Sequence, residues 1–199
     1  MDKMINSKAE SIFSLAIRAG LTEDAQAVFL HKLDLELLKK DLEKEKQEFV
    51  SFNKNLNSAE DIWSQGLERH IDTKLIWQLI NYSIKNNKGI GVDWRFTAGD
   101  LVANVQTIPT GLDIKALGEQ EADGKSTQIV LIDGEEYVLG NEPWESIIEI
   151  MAVINNHLSK LGKLFIYYDL GTDDMYFLMV NKAVADEFGK YKFTLPGRA

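Results

Sequence analysis

The stretch Leu164-Phe165-Ile166-Tyr167-Tyr168-Asp169-Leu170-Gly171-Thr172-Asp173-Asp174-Met175-Tyr176-Phe177-Leu178-Met179-Val180 sets two near-continuous apolar runs on either side of an acidic turn. Runs of this length without polar alternation predict central strands of a sheet covered on both faces. Asp and Gly in the six residues between them are what a turn selects. The cover has to come from helices, and the nearest one lies upstream. Asn141 and Pro143 open it, and Trp144, Ile147, Ile148, Met151, Ile154, Leu158 and Leu161 form its apolar stripe. Glu145, Glu149, Asn156 and Lys160 lie opposite, and Gly162 ends it. Downstream, Ala183–Phe188 reads as a short helix and Tyr191–Leu195 as an edge strand.

Further upstream, Gln128–Ile132 and Tyr137–Leu139 flank Asp133-Gly134, a dipeptide that predicts a β-hairpin. Glu119–Ser126 is polar and reads as a loop. Ile90–Trp94 reads as a short strand, and Thr97 opens a helix that Pro109 stops. The first 88 residues read as helices. Ser7 caps one that Gly20 ends, and Thr22 opens a second. From Leu35 the residues Leu35, Leu38, Leu42, Phe49 and Phe52 keep the spacing of an amphipathic helix. Ser58 caps a helix carrying Ile62, Trp63, Leu67 and His70, and Asp72 caps the next. Asn86-Asn87-Lys88-Gly89 is a helix end followed by a turn. The expected fold class is α+β: a helical N-terminal half (1–88) packed with a mixed or antiparallel sheet covered by helices (89–199), in one unit of residues 1–199.

At 199 residues, with 45% hydrophobic and 27% charged content, the chain has the composition of a folded globular protein. The formal net charge of −9 is distributed unevenly. Residues 1–88 carry 13 Lys+Arg against 14 Asp+Glu, and residues 89–199 carry 9 against 17. A field of one sign bears on partners and solubility. It disfavours nucleic acid, whose phosphates need clustered Lys and Arg. With no cysteine there is no disulfide, thiolate nucleophile or zinc–sulfur site, which fits a reducing compartment. Met1–Asn6 lacks a signal-peptide stretch, and Ile147–Ile154 contains Glu149 and falls short of a membrane span, so a cytoplasmic location is expected.

No motif identifies a reaction. Gly118…Gly124-Lys125-Ser126 has the wrong spacing for a phosphate loop, is flanked by acids and lacks a preceding strand. Gly89-Ile90-Gly91 begins a dinucleotide fingerprint that Trp94 breaks. His31, His70 and His157 are spread over three predicted helices, and Glu68, His70 and Asp72 have a spacing that scatters them around a helix. Catalytic residues, metal ligands and cofactors are therefore not assigned. The acidic turn Asp169–Asp174 could hold a hard cation or serve only as a turn. Trp94, between Asp93 and Arg95, reads as a core residue at a strand end or as an interface anchor.

Two stretches resemble a bacterial family of small acidic proteins known only as a domain of unknown function. They are Gly91-Val92-Asp93-Trp94-Arg95 with the helix after it, and Leu161–Leu164 through Asp169-Leu170-Gly171-Thr172-Asp173-Asp174-Met175-Tyr176. The resemblance covers about residues 75–190, leaves the first 70 outside, and implies a similar α+β fold without an activity.

The functional expectation is a non-enzymatic module whose acidic surface binds a basic protein. Toxin-neutralising immunity proteins share this profile. Glu135, Glu136, Asp169, Asp173, Asp174 and Trp94 are the candidate partner-binding residues. Two alternatives stand beside it: a carboxylate- or metal-dependent enzyme using Asp93, Asp169 and Asp173, and an oligomeric scaffold built through the helix Leu35–Phe52.

Overall fold

The structure is a computed structural model that describes residues 1–56, 58–93, 95–122, 125–139, 143–169 and 174–197; for residues 119–122, 125, 126, 143–145 and 169 it describes the backbone alone. Trp94 and the turn residues 170–173 lie outside this description. The chain divides into two compact units, Met1–Arg18 with Thr22–Tyr82, and Ala19–Leu21 with Ser83–Ala199. On this division the first unit carries 11 Lys+Arg against 14 Asp+Glu and the second 11 against 17. The acid excess still lies with the second unit, but Lys85 and Lys88 reduce it.

The first unit is built from helices α1 (Asp2–Ala19), α2 (Gln26–Lys32), α3 (Leu35–Phe52) and most of α4 (Ala59–Lys85). Helix α1 begins five residues before Ser7, because its buried stripe of Ile5, Ala9, Ile12 and Ala16 reaches into the first turn. Gly20 ends it at φ +74°. Thr22 does not cap α2, whose N-cap is Ala25. It is buried and bonded to the Tyr82 hydroxyl, which donates its one proton to Asp24 at 2.7 Å. Thr22 must then be the donor to Tyr82. Asp34 caps α3 by accepting from the Leu37 N–H at 3.1 Å. Leu38 and Leu42 are buried as the spacing predicts, whereas Phe52 is 91% exposed at the fraying end of that stripe.

Asp72 caps nothing. It lies inside a single 27-residue helix, α4, and both its oxygens take Lys8 Nζ at 2.8 and 2.9 Å. With that carboxylate already answered, buried Ile71 and Leu75 carry the apolar stripe through the position. Asn87, at φ +53°, and the Lys88 N–H donating to Ser83 O at 2.8 Å close the helix where the turn was expected.

The second unit holds two antiparallel sheets. Strands β1 (Gly89–Asp93), β5 (Lys163–Asp169), β6 (Asp174–Asn181) and β7 (Phe193–Thr194) form the first, in the order β1-β6-β5-β7. The two apolar runs at 164–180 are thus the central pair, and a 3-10 helix, Lys182–Tyr191, leads to the edge strand β7. Strands β2 (Ile114–Ala122), β3 (Lys125–Ile132) and β4 (Glu135–Leu139) form the second sheet. Residues 119–122 and 125–126 are therefore strand rather than loop. Ala122 pairs with Lys125, and residues 123 and 124 lie outside the described residues. Gly118 and Lys125-Ser126 are strand residues, which removes the phosphate-loop reading. Gly89 is required by close approach: a Cβ there would sit 2.7 Å from Leu178 Cδ2 and 2.9 Å from the Phe177 carbonyl oxygen.

Helices α5 (Ala98–Gln106) and α6 (Pro143–Lys160) lie between the sheets, α5 touching β1, β2 and β3, and α6 touching β5, β3 and β4. A capping box between Thr97 and Asp100 starts α5. Gly162, at φ +73°, stops the chain after α6. Because α6 is covered on two sides, its buried arc is wider than one stripe. Ile147, Ile150, Met151, Ile154 and Leu158 fill the middle, with buried Asn155 on one flank and buried His157 on the other. Leu161, beyond the last helical residue, is exposed.

Asn155 makes two hydrogen bonds to one strand residue: its Nδ2 donates to Phe165 O at 2.8 Å, and Phe165 N–H donates to its Oδ1 at 2.6 Å. On that side of β5 the two-residue strand β7 reaches only Tyr167 and Tyr168, so the Asn155 amide serves as the missing strand. Asn155→Ala leaves a buried donor and acceptor unpaired and should cost about 2–4 kcal/mol in denaturant unfolding. A loss under about 1 kcal/mol would mean that water replaces the amide.

Candidate functional site

The β3–β4 turn sets the geometry of the best-defined polar cluster in the second unit. Asp133 at φ +50° and Gly134 at φ +86° form the two-residue turn that matches strand twist, and the register pairs Ile132 with Glu135. Alternation along β4 then puts Glu135 and Tyr137 on one face, and Glu136 and Val138 on the other. The first face meets the last turn of α6. There the His157 ring, 5% exposed, lies with Nε2 2.8 Å from the Tyr137 hydroxyl and Nδ1 3.4 Å from Asp133 Oδ2. The hydroxyl in turn donates to Glu135 Oε2 at 2.7 Å. With its only proton committed there, the Tyr137 oxygen accepts from His157 Nε2–H.

This bonding explains the titration behaviour of the two β4 residues. The hydrogen bond from Tyr137 holds the Glu135 carboxyl below its usual value, and the same bond raises the Tyr137 hydroxyl. The Tyr137 proton is thus held between the hydroxyl and the Glu135 carboxylate. The cluster fixes the hairpin tip to α6 while leaving its carboxylates accessible. The Asp133 and Glu135 side chains are 42% and 65% exposed, and Glu136 is exposed on the opposite face. Lys160 lines the cavity of about 220 Å3 between this tip and the end of α6.

The other expected site residues fall elsewhere. Asp174 is exposed at the start of β6, directly opposite Asp93 on β1. Two carboxylates opposite each other on adjacent strands repel, and Arg95 answers the pair. Its Nε and backbone N–H donate to Asp93 Oδ1 at 2.8 and 2.9 Å, and its Nη2 donates to Oδ2. Asp169 ends β5 opposite Met175, with its side chain outside the described residues, as are Asp173 and Trp94 entirely. Glu135 and Glu136 face opposite sides of one sheet, and Asp174 belongs to the other. Glu68 and Asp72 both hold Lys8, while His70 turns to stack on Trp63 with ring centroids 4.1 Å apart. The i, i+2, i+4 spacing thus sets His70 apart from the two carboxylates, which converge on Lys8. Among the described residues no three His, Asp or Glu side chains are grouped to hold a metal ion. Among the same residues no helix is long and apolar enough to cross a membrane.

Sequence reasoning missed His157 and Tyr137. The Asp133-Gly134 turn and strand alternation do put Glu135 and Tyr137 on one face, but no local signal joins that face to a helix 20 residues on.

The Asp93–Arg95 pair makes a test of the electrostatics. The guanidinium, and next the Arg95 backbone N–H, hold the Asp93 carboxyl down to about 2. A depressed carboxyl stabilises the fold above its unfolded pKa of ~3.9, and that contribution fades as pH falls through the folded value. Arg95→Ala should move the Asp93 titration, followed by NMR, up toward ~3.9 and flatten the stability loss between pH ~4 and ~2. An unmoved Asp93 would show that Arg95 does not hold it.

No curated protein and no solved structure matches this chain. Residues 20–195, by contrast, match a domain of unknown function (DUF6630). The match reaches beyond the 75–190 span of the resemblance and takes in α2–α4. The chain belongs to the DUF6630 family.

Proposed function

We propose that this chain is a non-enzymatic binding module of the bacterial cytoplasm, whose acidic second unit engages and neutralises a basic protein, in the manner of an immunity or antitoxin protein. The observation that carries this reading is the β3–β4 tip. Its carboxylates are held in place from below by Tyr137 and His157 and stay open to solvent. Carboxylates whose positions are fixed before encounter lose little freedom on binding. The excess of 17 Asp+Glu over 11 Lys+Arg in the second unit adds a long-range field that steers a cationic partner. The lack of cysteine fits a reducing compartment.

Affinity capture from the source lysate tests the reading, with the tagged chain and its Glu135→Lys/Glu136→Lys variant at about 0.1 M and about 1 M salt, where the Debye length falls from about 10 Å to about 3 Å. The expected result is one basic protein, stoichiometric with wild type at low salt, reduced at high salt and lost by the variant, with the melting temperature of the variant nearly unchanged. Absence of a basic partner, or equal capture by the variant, would sink it.

A further inference from the structure

The β2-β3-β4 sheet ends on a strand whose outer edge can be read residue by residue. In a hairpin with a two-residue turn the flanking residues, Ile132 and Glu135, form a hydrogen-bonded pair, and bonding alternates from there. Val130 and Tyr137 are the next bonded pair; Glu136 and Val138 turn their N–H and C=O groups away from β3. The opposite side of β3 agrees with this phase, since the Asp133 N–H donates across to Asp113 O at 2.8 Å, leaving Ile132 for β4. Among the described residues β4 pairs with β3 alone. Around this edge Glu136 is exposed and Val138 is 60% exposed.

The two edges of the sheet are not equivalent. Strand β2 has a register shift between Ala116 and Gly118, and Lys115 lies along it; bulges and lysines are the usual means by which an edge refuses another strand. Strand β4 is regular over all five residues. Its Glu135 and Glu136 face opposite sides of the sheet, so a strand laid against β4 meets a carboxylate on each face. A second copy of β4 would bring the same carboxylates from the other side, and like charges across a strand pair destabilise it. A strand bearing Lys or Arg gains a favourable pair on each face.

We propose that β4 is the docking edge of the binding module: an extended Lys- or Arg-rich segment of the basic partner adds to it as a further strand, taking backbone bonds from Glu136 and Val138 and side-chain pairs from Glu135 and Glu136. The proposal rests on the binding reading above and specifies its mode.

The test uses the full chain and a probe peptide, acetyl-Lys-Val-Lys-Val-Lys-Val-amide, with a Glu-for-Lys peptide as control. Amide hydrogen exchange at Glu136 and Val138 is followed by NMR. At nine-tenths occupancy by the Lys peptide, exchange at both amides should fall about tenfold, because only the free tenth exchanges; the Glu peptide should leave both unchanged. Val138→Pro should abolish protection at Glu136 with little change in melting temperature, since the Val138 N–H bonds nothing in β3. Should that variant unfold, Glu135→Lys/Glu136→Lys serves instead and should reverse the peptide preference. Unchanged exchange at millimolar Lys peptide, or equal protection by the Glu peptide, overturns the proposal. The two readings fail separately. A basic partner captured equally by wild type and folded Val138→Pro overturns edge docking and leaves the binding reading standing. Protection by the Lys peptide without any captured basic partner supports a competent edge and overturns the binding reading.

Discussion

The pair of hydrogen bonds between the Asn155 amide and the Phe165 backbone decides where α6 sits, and the second unit is arranged around α6. A buried amide must find partners for its donors and acceptors, and here both lie on a single residue of a central strand. That fixes the rotation of the helix about its axis as well as its height along β5. Two residues later, about 200° further round the helix, His157 faces the other sheet and takes the hairpin tip. A hydrophobic stripe alone would let the helix roll between two greasy surfaces. The two polar flanks, one for each sheet, remove that freedom.

This arrangement also explains how the acidic tip is presented. Carboxylates at a hairpin turn would ordinarily swing with the turn. Here Tyr137 stands between Glu135 and His157, and Asp133 lies beside the other ring nitrogen, so the tip is tied to the end of α6. On the other sheet the acidic residues behave differently. Asp93 gives both oxygens to Arg95, which relieves its repulsion with Asp174 and spends the charge inside the fold. Carboxylates of the same formal charge thus divide into one paired with a guanidinium and others set beside a tyrosine and a histidine and open to solvent.

How far the sequence could be read follows from how local each determinant is. The β5–β6 pair, the Asp133-Gly134 hairpin, the Thr97 helix start and the Gly162 stop each rest on a few adjacent residues, and each is legible. Strand β2 was hidden because its outer half is polar, and because Asp123-Gly124 carries the same turn chemistry as Asp133-Gly134 without flanking apolar runs. The break expected at Asp72 is absent because Lys8, 64 residues away, supplies what a cap would have supplied. Thr22 misled in the same way: a good capping residue is also a good side-chain partner, and only tertiary contacts distinguish the roles. Asn155 and His157 lie on a helix face that reads as the margin of a stripe until a second sheet is known to cover it.

Strand β1 pairs with β6 through residues 81 to 89 positions apart in the chain. On a ribosome adding about 5–20 residues per second, β1 therefore waits about 4–17 s for the strand it needs. During that interval Ile90 and Val92, both buried in the finished sheet, have no native partner strand. Synthesis that stops between β1 and β6 would leave these two side chains without the strand that completes their side of the sheet.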